Sequence, residues 1–316
     1  MTLASEAETA SRAVLEAACT QAGLDPHAAE LLRLGENALY RLPGGIIARI
    51  SRAGQTAAAV REVQVARWLE AQEVPAVQAL PNVDQPAEVD GRAVTWWQEL
   101  PPHRHGTAVE VAAALRRLHD LPPPITFDVG RLDPFVRLSD RIERAATLSE
   151  ADRAWMREHL AVLQGRYAEL PTGLSPSVVH GDAWIGNVVA TNDSRVVLLD
   201  LERCSVGRLS GDLVSTAVKV FTLAGITIED YQRFVDAYGH DVTRWAGFEL
   251  LRDIREFRLV CMAAQAAGEN PTRADEAALR LACLRGETRG RAPALDSGVL
   301  NRPQKWAAPA ARVPSA

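Results

Sequence analysis

The chain has 316 residues, with 35 basic residues (Lys and Arg) against 40 acidic ones (Asp and Glu), which gives a net charge of −5. This balance argues against a protein that binds nucleic acid through bulk attraction to phosphate, because such proteins normally show a basic excess. The hydrophobic fraction of 47% and the charged fraction of 24% are typical of a globular protein, and the length predicts two domains or one domain of two lobes.

The start of the chain and its cysteines indicate a cytoplasmic protein that does not enter a membrane. Residues 1–10 show no basic start followed by an apolar run, and no apolar stretch reaches the roughly 18 residues that a membrane span needs. The four cysteines lie far apart and form no C-x-x-C pair. Buried, reduced thiols are therefore expected instead of a disulfide framework or a structural zinc site.

Residues 1–100 are predicted to form a small N-terminal lobe of antiparallel strands with one inserted helix, preceded by an N-terminal helix. The predicted elements are a helix over 5–22, strands over 31–34, 38–42 and 46–50, a helix over 56–72 and a hairpin within 88–97. The strands are short and separated by turn residues, and the strand over 46–50 is β-branched. The hairpin is indicated by an Asp-Gly pair between two strand-like runs.

Residues 101–301 are predicted to form a larger, mainly helical lobe. The predicted helices cover residues 107–119, 136–146, 150–169, 210–223, 229–238, 244–267 and 273–289. One β-rich island, Ser177–Asp200, lies between them and contains two apolar strand-like runs. Residues 302–316 are rich in Pro and Ala, a composition that predicts a disordered tail.

The β-rich island carries the polar side chains best suited to chemistry. Asp182 and Asn187 share one loop after an apolar run, and Asp200 follows the second run. Strand ends at a sheet edge give rigid support beside a cleft. Because Mg²⁺ binds few hard oxygen ligands and leaves its other positions to water and phosphate, Asn187 and Asp200 suit a magnesium-phosphate site.

Asp182 is placed to orient an attacking hydroxyl and accept its proton, the role of the catalytic-loop Asp in kinases. For each residue alone a structural role is the alternative: Asp182 caps a turn, Asn187 pairs with the backbone and Asp200 ends a strand. Their order and spacing together favour the magnesium-phosphate site.

The motif His180-Gly181-Asp182-x-x-x-x-Asn187, followed by Leu199-Asp200-x-Glu202, resembles the aminoglycoside phosphotransferase and choline kinase family. The resemblance runs from about residue 31 to residue 284. It implies an α+β, bilobal protein-kinase-like fold, with a small antiparallel β lobe containing one helix and a larger, mainly helical lobe. It also implies a kinase that transfers the γ-phosphoryl group of ATP to a small-molecule hydroxyl.

The resemblance assigns roles within the larger lobe. Asp182 is the catalytic base, and Asn187 and Asp200 hold Mg²⁺. His180 supports the loop, and Asp212 matches the family's Asp that anchors this loop and caps the next helix. His119 matches a common helix ending in the family and is expected to be a cap.

The resemblance also assigns nucleotide-binding residues in the small lobe. Gly35 and Asn37 lie in the turn that covers the phosphates. Arg49 occupies the position where kinases generally have Lys, and Glu62 is its expected partner in the ion pair that positions the phosphates. Arginine keeps the charge, but its planar fork is larger and prefers bidentate contacts. A surface ion pair between Arg49 and Glu62 is the alternative.

Gln98, Glu99 and Leu100 are expected to form the hinge, whose backbone amide and carbonyl groups bind the adenine edge. Trp96 and Trp97, just before it, are expected to pack in the core.

ATP and Mg²⁺ are the expected cofactors, and a small-molecule hydroxyl compound is the expected partner, with no nucleic acid, no membrane and no oligomeric state indicated. By family analogy the leading candidate for the acceptor is an aminoglycoside or related antibiotic, which implies a role in antibiotic resistance. Choline, a sugar, homoserine and a macrolide are the other candidate acceptors. Glu249, Asp253 and Glu256 either offer carboxylates to a cationic acceptor or pair with neighbouring arginines. The rival function is a nucleotide-binding regulatory protein without transfer activity, which Arg49 favours.

Overall fold

The structure is a computed structural model that describes residues 3–35, 37–221 and 225–287. As the sequence predicts, a lobe built on an antiparallel sheet precedes a mainly helical lobe. No helix within the described ranges is long and apolar enough to cross a membrane. The predicted tail at 302–316 lies outside the described residues.

The N-terminal lobe is one five-stranded antiparallel sheet with two helices. Its elements are α1 (Leu3–Ala22), β1 (Glu30–Arg33), β2 (Ala38–Leu42), β3 (Ile46–Ala53), α2 (Thr56–Ala71), β4 (Ala87–Val89) and β5 (Arg92–Gln98). The strand order is β1-β2-β3-β5-β4. Each predicted strand and helix of this lobe is present, including the hairpin formed by β4 and β5.

Side chains along β3 and β5 point alternately to the two faces of the sheet, and both faces are buried. Ile47 pairs with Trp97, and Ala48 pairs with Trp96. Ile47 and Trp97 pack into the core that contains α2 and the helical lobe, whereas Ala48 and Trp96 pack with α1. Because successive side chains of a strand point to opposite faces, Arg49 shares the face of Ile47 and is directed toward α2.

The C-terminal lobe contains seven helices and five short strands among the described residues. The helices are α3 (Ala108–His119), α4 (Leu138–Arg144), α5 (Glu150–Ala168), α6 (Ser210–Phe221), α7 (Ile228–Tyr238), α8 (Phe248–Glu269) and α9 (Ala274–Leu284). The strands are β6 (His103–His105), β7 (Pro176–Val179), β8 (Val188–Thr191), β9 (Val196–Leu198) and β10 (Ser205–Arg208). They form a β6-β8-β9 sheet and a β10-β7 pair.

This lobe differs from the sequence-based expectation at the start of α8 and in two additional strands. The predicted helix from residue 244 begins at Phe248, because Val242–Arg244 forms a separate short 3-10 helix. The strands β6 and β10 were not predicted, since each is short and is defined by its pairing with a distant strand. As predicted, the four cysteines of the chain are free thiols, and all except the half-buried Cys283 are buried.

Candidate active site

Asp212, in the first turn of α6, anchors the loop that follows β7. Its carboxylate accepts hydrogen bonds from the backbone N–H groups of His180 at 2.7 Å and Gly181 at 2.8 Å. The ring Nε2 of His180 lies 2.7 Å from the carbonyl oxygen of Leu199, at the end of β9. The loop is therefore attached both to α6 and to the neighbouring strand before it reaches Asp182.

His119 supports Asp212 from the end of α3. Its Nε2 lies 3.0 Å from the Asp212 carboxylate, and its Nδ1 lies 2.8 Å from the hydroxyl of Tyr238. Burial opposes the ionisation of Asp212, but hydrogen bonds from His119 and the backbone outweigh it, and the pKa of Asp212 lies below its usual range. The expectation that His119 caps its helix is wrong, since it is a buried partner of Asp212 and Asp120 is the C-cap residue.

Glycine is required at position 181 by a close backbone approach. Gly181 has φ +76°, and a Cβ there would lie 2.7 Å from the carbonyl oxygen of Arg203. A side chain would also be strained in this left-handed conformation. The glycine allows the loop to turn sharply and present Asp182 immediately afterwards.

Asp182 is held in an ion pair that the sequence pattern does not indicate. Its Oδ1 accepts a 2.8 Å hydrogen bond from Nη2 of Arg255 in α8, 73 residues away along the chain. Burial opposes ionisation of Asp182, but the charges of Arg255 and Arg203 outweigh it and hold the pKa of the carboxyl below its usual range. Asp182 is therefore a carboxylate at neutral pH.

Asn187 immediately precedes β8, and Asp200 follows β9, so the two residues lie at the same end of the β8-β9 hairpin. The backbone N–H of Leu199 donates to the carbonyl oxygen of Asn187 at 2.9 Å, which places Asp200 one residue from this contact. Nδ2 of Asn187 donates to the backbone carbonyl of Asp182 at 2.9 Å. The Asn187 side-chain oxygen and the Asp200 carboxylate are hard donors, and together they fit a Mg²⁺ ion whose other ligands are phosphate and water.

Arg49 of β3 binds two carboxylates, one in each lobe. It forms an ion pair with Glu62 of α2, and its Nη2 donates to Oε2 of Glu202, after β9, at 2.7 Å. The Arg49 and Glu62 side chains are 8% and 1% exposed, so the alternative of a surface ion pair is wrong. Burial works against the charge of Arg49, but Glu62 and Glu202 outweigh it and raise its pKa. The planar fork reaches both carboxylates at once.

The turn after β1 contributes to the same region. Asn37 lines a cavity together with Arg49, Glu62 and Glu202. Gly35 lies in this turn, and residue 36 between them is outside the described residues. The structure thus brings Asn37 to the Arg49 ion pairs.

The hinge segment after β5 is more constrained than expected. The N–H of Gln98 donates to the carbonyl of Gln78 at 2.9 Å, and the N–H of Glu99 donates to that of Gly45 at 2.7 Å. These two amides are engaged within the protein, so they are not available to an adenine edge as the sequence analysis expected.

The acidic residues of α8 pair with a neighbouring arginine, which is one of the two alternatives that the sequence left open. Arg252 forms ion pairs with Glu249, Asp253 and Glu256 at 2.6, 3.3 and 3.4 Å. Arg255 instead binds Asp182, a contact that no local spacing could indicate.

Comparisons with known proteins identify the family of the chain. A family model described as the phosphotransferase enzyme family matches residues 32–252. The chain belongs to this family. The predicted family resemblance is confirmed, and none of the curated proteins matches the chain.

Solved structures of other phosphotransferases share the fold. An amicoumacin kinase in complex with AMP-PNP, Ca²⁺ and Ami has a TM-score of 0.68 and 14% identity, over 93% of this chain and 99% of that chain. The choline kinase LicA from Streptococcus pneumoniae has a TM-score of 0.59 and 14% identity, over 87% and 99%. An aminoglycoside phosphotransferase from Streptomyces rimosus has a TM-score of 0.53 and 23% identity, over 78% and 97%. These likenesses establish the predicted protein-kinase-like fold.

Proposed function

We propose that this phosphotransferase-family protein transfers the γ-phosphoryl group of ATP to a hydroxyl group of a small molecule. The observation that carries the proposal is the contact of Asn187 with both of the other segments of the site. Its Nδ2 donates to the backbone carbonyl of Asp182, and its own carbonyl accepts from Leu199, the residue before Asp200. A carboxylate base beside two oxygen ligands for a metal ion is the arrangement that phosphoryl transfer uses.

In this reaction the acceptor hydroxyl oxygen attacks the γ-phosphorus in line with the bond to the β,γ-bridging oxygen. That bond breaks, ADP leaves with its electron pair, and Asp182 orients the hydroxyl and takes its proton. Asn187 and Asp200 would hold Mg²⁺, which would neutralise part of the phosphate charge. Since the transition state is loose, much of the benefit from Asp182 is orientation.

The N-terminal lobe positions the nucleotide in this proposal. Arg49, fixed by Glu62 and Glu202, offers a buried positive charge beside the cavity lined by Asn37. The Leu100 amide supplies a backbone donor for adenine. The Arg49 ion pairs connect both lobes, so nucleotide binding and the position of the catalytic loop are linked through one side chain.

The decisive test is Asp182→Asn, which keeps the shape of the side chain but removes its charge and basicity. General-base contributions run to about 10²–10⁴-fold, so kcat should fall by about that factor. ATP binding, measured by calorimetry, should be retained because Asp182 acts on the acceptor.

Asp193→Asn is the matched control, because Asp193 lies exposed in the β8-β9 turn and pairs with Arg195. Its kcat should equal that of the wild type. A near-normal kcat in Asp182→Asn would refute the base assignment. Intact ATP binding without transfer to any hydroxyl acceptor in the wild type would favour the nucleotide-binding regulatory function instead.

A further inference from the structure

Four cationic side chains of the C-terminal lobe act on the Asp182 carboxylate. They are Arg203 after β9, Lys219 of α6, and Arg255 and Arg258 of α8. We call them the basic cluster. Such a group is costly in a half-buried site unless anions balance its charge.

Two members of the basic cluster are fixed against the catalytic loop. Arg255 binds Oδ1 of Asp182 at 2.8 Å, and Nε of Arg203 donates to the backbone carbonyl of Gly181 at 3.0 Å. Asp200 and Glu202 also act on Arg203, but Glu202 is bound by Arg49.

The other two members have neutral partners. Nη1 of Arg258 donates to the carbonyl oxygen of Pro134 at 2.6 Å, and Nζ of Lys219 lies 4.0 Å from the centre of the Trp184 ring. Burial lowers the pKa of Lys219 to about 7, and the charge of Arg255 acts in the same direction. Burial lowers the pKa of Arg258 to about 9, with Arg203 and Arg255 acting in the same direction. Because Lys219 is only partly protonated at neutral pH, the three arginines Arg203, Arg255 and Arg258 carry most of the positive charge that acts on Asp182.

The geometry of the Asp182 carboxylate shows on which side this positive charge lies. Oδ2 is 3.4 Å from Nδ2 of Asn187, the expected metal ligand, whereas Oδ1 is bound by Arg255. Arg255 therefore approaches the carboxylate through the oxygen that is not in contact with Asn187. In the proposed reaction the metal and the phosphates occupy the Asn187 side, so the acceptor meets the basic cluster.

The carboxylates that could have bound a cationic acceptor are engaged elsewhere. Glu249, Asp253 and Glu256 of α8 form ion pairs with Arg252. At 3.6 residues per turn they lie on a different side of the helix from Arg255 and Arg258. The side of α8 that faces Asp182 is consequently cationic.

An open cavity of about 320 Å³ adjoins the cavity lined by Asn37 and shares Arg52, Gln55 and Arg137 with it. Its charged lining residues are Arg52, Arg137, Asp140, Arg141 and Arg144. Arg141 acts on Arg258, which connects this cavity electrostatically to the basic cluster.

We propose that the hydroxyl acceptor carries an anionic group, a carboxylate or a phosphate, that binds Arg255 and its neighbours in the basic cluster. The inference rests on the proposed function and specifies its substrate class. It opposes the family analogy with aminoglycosides, because a polycation would add to the positive charge already carried by the basic cluster. Binding of the anionic group to Arg255 also relieves Asp182 of its ion pair and leaves its carboxylate available to the hydroxyl.

The first experiment compares acceptors of different charge. One panel contains hydroxy carboxylates and phosphorylated alcohols, with glycerate and glycerol phosphate as the simplest members. The other contains glycerol as a neutral compound and choline and streptomycin as cations. Binding to the protein with Mg²⁺ and ADP is measured by calorimetry, and transfer from ATP is followed by phosphorus NMR. The anionic panel should bind and accept phosphate, and its two halves separate carboxylate from phosphate recognition.

The second experiment tests the residues. Arg255→Gln should raise the Kd of the anionic acceptor by roughly 10- to 100-fold, since a hydrogen bond to a charged group is lost. Lys219→Met should weaken the same binding, and Arg255→Lys should restore part of it. Arg252→Gln is the matched control, because Arg252 lies on the same helix and pairs with the acidic residues of α8. It should leave acceptor binding unchanged.

The outcomes separate this inference from the proposed function. Transfer to cationic or neutral compounds alone would overturn the anionic acceptor and leave the kinase function standing. Anion binding that depends on Arg255 but is never followed by transfer would support the inference and refute the kinase function. Absence of binding by the whole anionic panel, or an Arg255→Gln variant that raises the KM for ATP and leaves acceptor binding unchanged, would overturn the inference.

Discussion

At the scale of a single residue, Arg49 places a guanidinium where kinases generally have the ammonium group of a lysine. It binds Glu62 and Glu202 through different nitrogens and is buried between them. A lysine ammonium is a compact charge without the planar fork, so it cannot hold both carboxylates in the same geometry. One buried carboxylate would then be less well compensated.

Arg49→Lys should therefore lower the free energy of unfolding by about 1–3 kcal/mol, the cost of a poorly paired buried group. The KM for ATP should rise because the charge beside the phosphates shifts. Urea unfolding and initial-rate kinetics measure the two effects, with Arg67→Lys on the exposed side of α2 as the control. Unchanged stability and unchanged ATP kinetics would show that one carboxylate suffices.

Residues of the site differ in how far the sequence could indicate them. Asp182 and Asn187 stand in one short motif, so their proximity follows from local spacing. Arg255 comes to Asp182 through the packing of α8 against the loop, over 73 residues of chain. His119 reaches Asp212 in the same non-local way. Motif spacing predicts the acidic groups of the site, whereas their cationic and supporting partners depend on tertiary packing.

At the scale of an element, the start of α3 is fixed by a capping box. The backbone N–H of Thr107 donates to Glu110 at 2.7 Å, and Oγ1 of Thr107 accepts from the N–H of Glu110 at 3.3 Å. Arg104 of β6 adds two hydrogen bonds to the Glu110 carboxylate, at 2.8 and 2.7 Å. Arg104 is the main cause that lowers the pKa of Glu110 to about 2.

Glu110→Ala should lower the free energy of unfolding at neutral pH by about 1 kcal/mol, the usual contribution of a cap. Because the folded-state pKa is depressed, the stabilisation is full above the unfolded value of 4.5 and is lost as pH falls toward about 2. Urea unfolding of wild type and variant at several pH values measures the difference. Glu158→Ala on the exposed side of α5 is the control, and a difference that grew on acidification would contradict the ionised cap.

The limits of α3 were predicted closely, at 107–119 against Ala108–His119, because capping residues and apolar period are local features. The strand β6 that supplies Arg104 was not predicted. Its three residues are polar and partly exposed, and they become a strand through pairing with β8. Elements defined by local pattern were therefore predicted, and short strands defined by a distant partner were not.

At the scale of the whole molecule, the two predicted lobes share one hydrophobic core. This core contains Ile47 and Leu69 from the N-terminal lobe together with Leu115 and Phe257 from the helical lobe. A second core, between α1 and the outer face of the sheet, contains Leu15 and belongs to the N-terminal lobe. The boundary near residue 100 therefore separates a β-sheet lobe from a helical lobe, but the two lobes share one core. We expect them to unfold together.

Leu69→Ala should destabilise both lobes, because Leu69 is fully buried in the core that they share. The expected loss is about 2–5 kcal/mol for a buried leucine truncated to alanine. Leu15→Ala is the matched control, with the same chemistry at a site of equal burial in the second core. Native-state hydrogen exchange in increasing urea should show faster exchange of both β2 and α8 in Leu69→Ala, but faster exchange confined to α1 and the sheet in Leu15→Ala. If Leu69→Ala affected the N-terminal lobe alone, the lobes would be independent folding units, and the lobe-to-lobe coupling assigned to Arg49 would lack a structural basis.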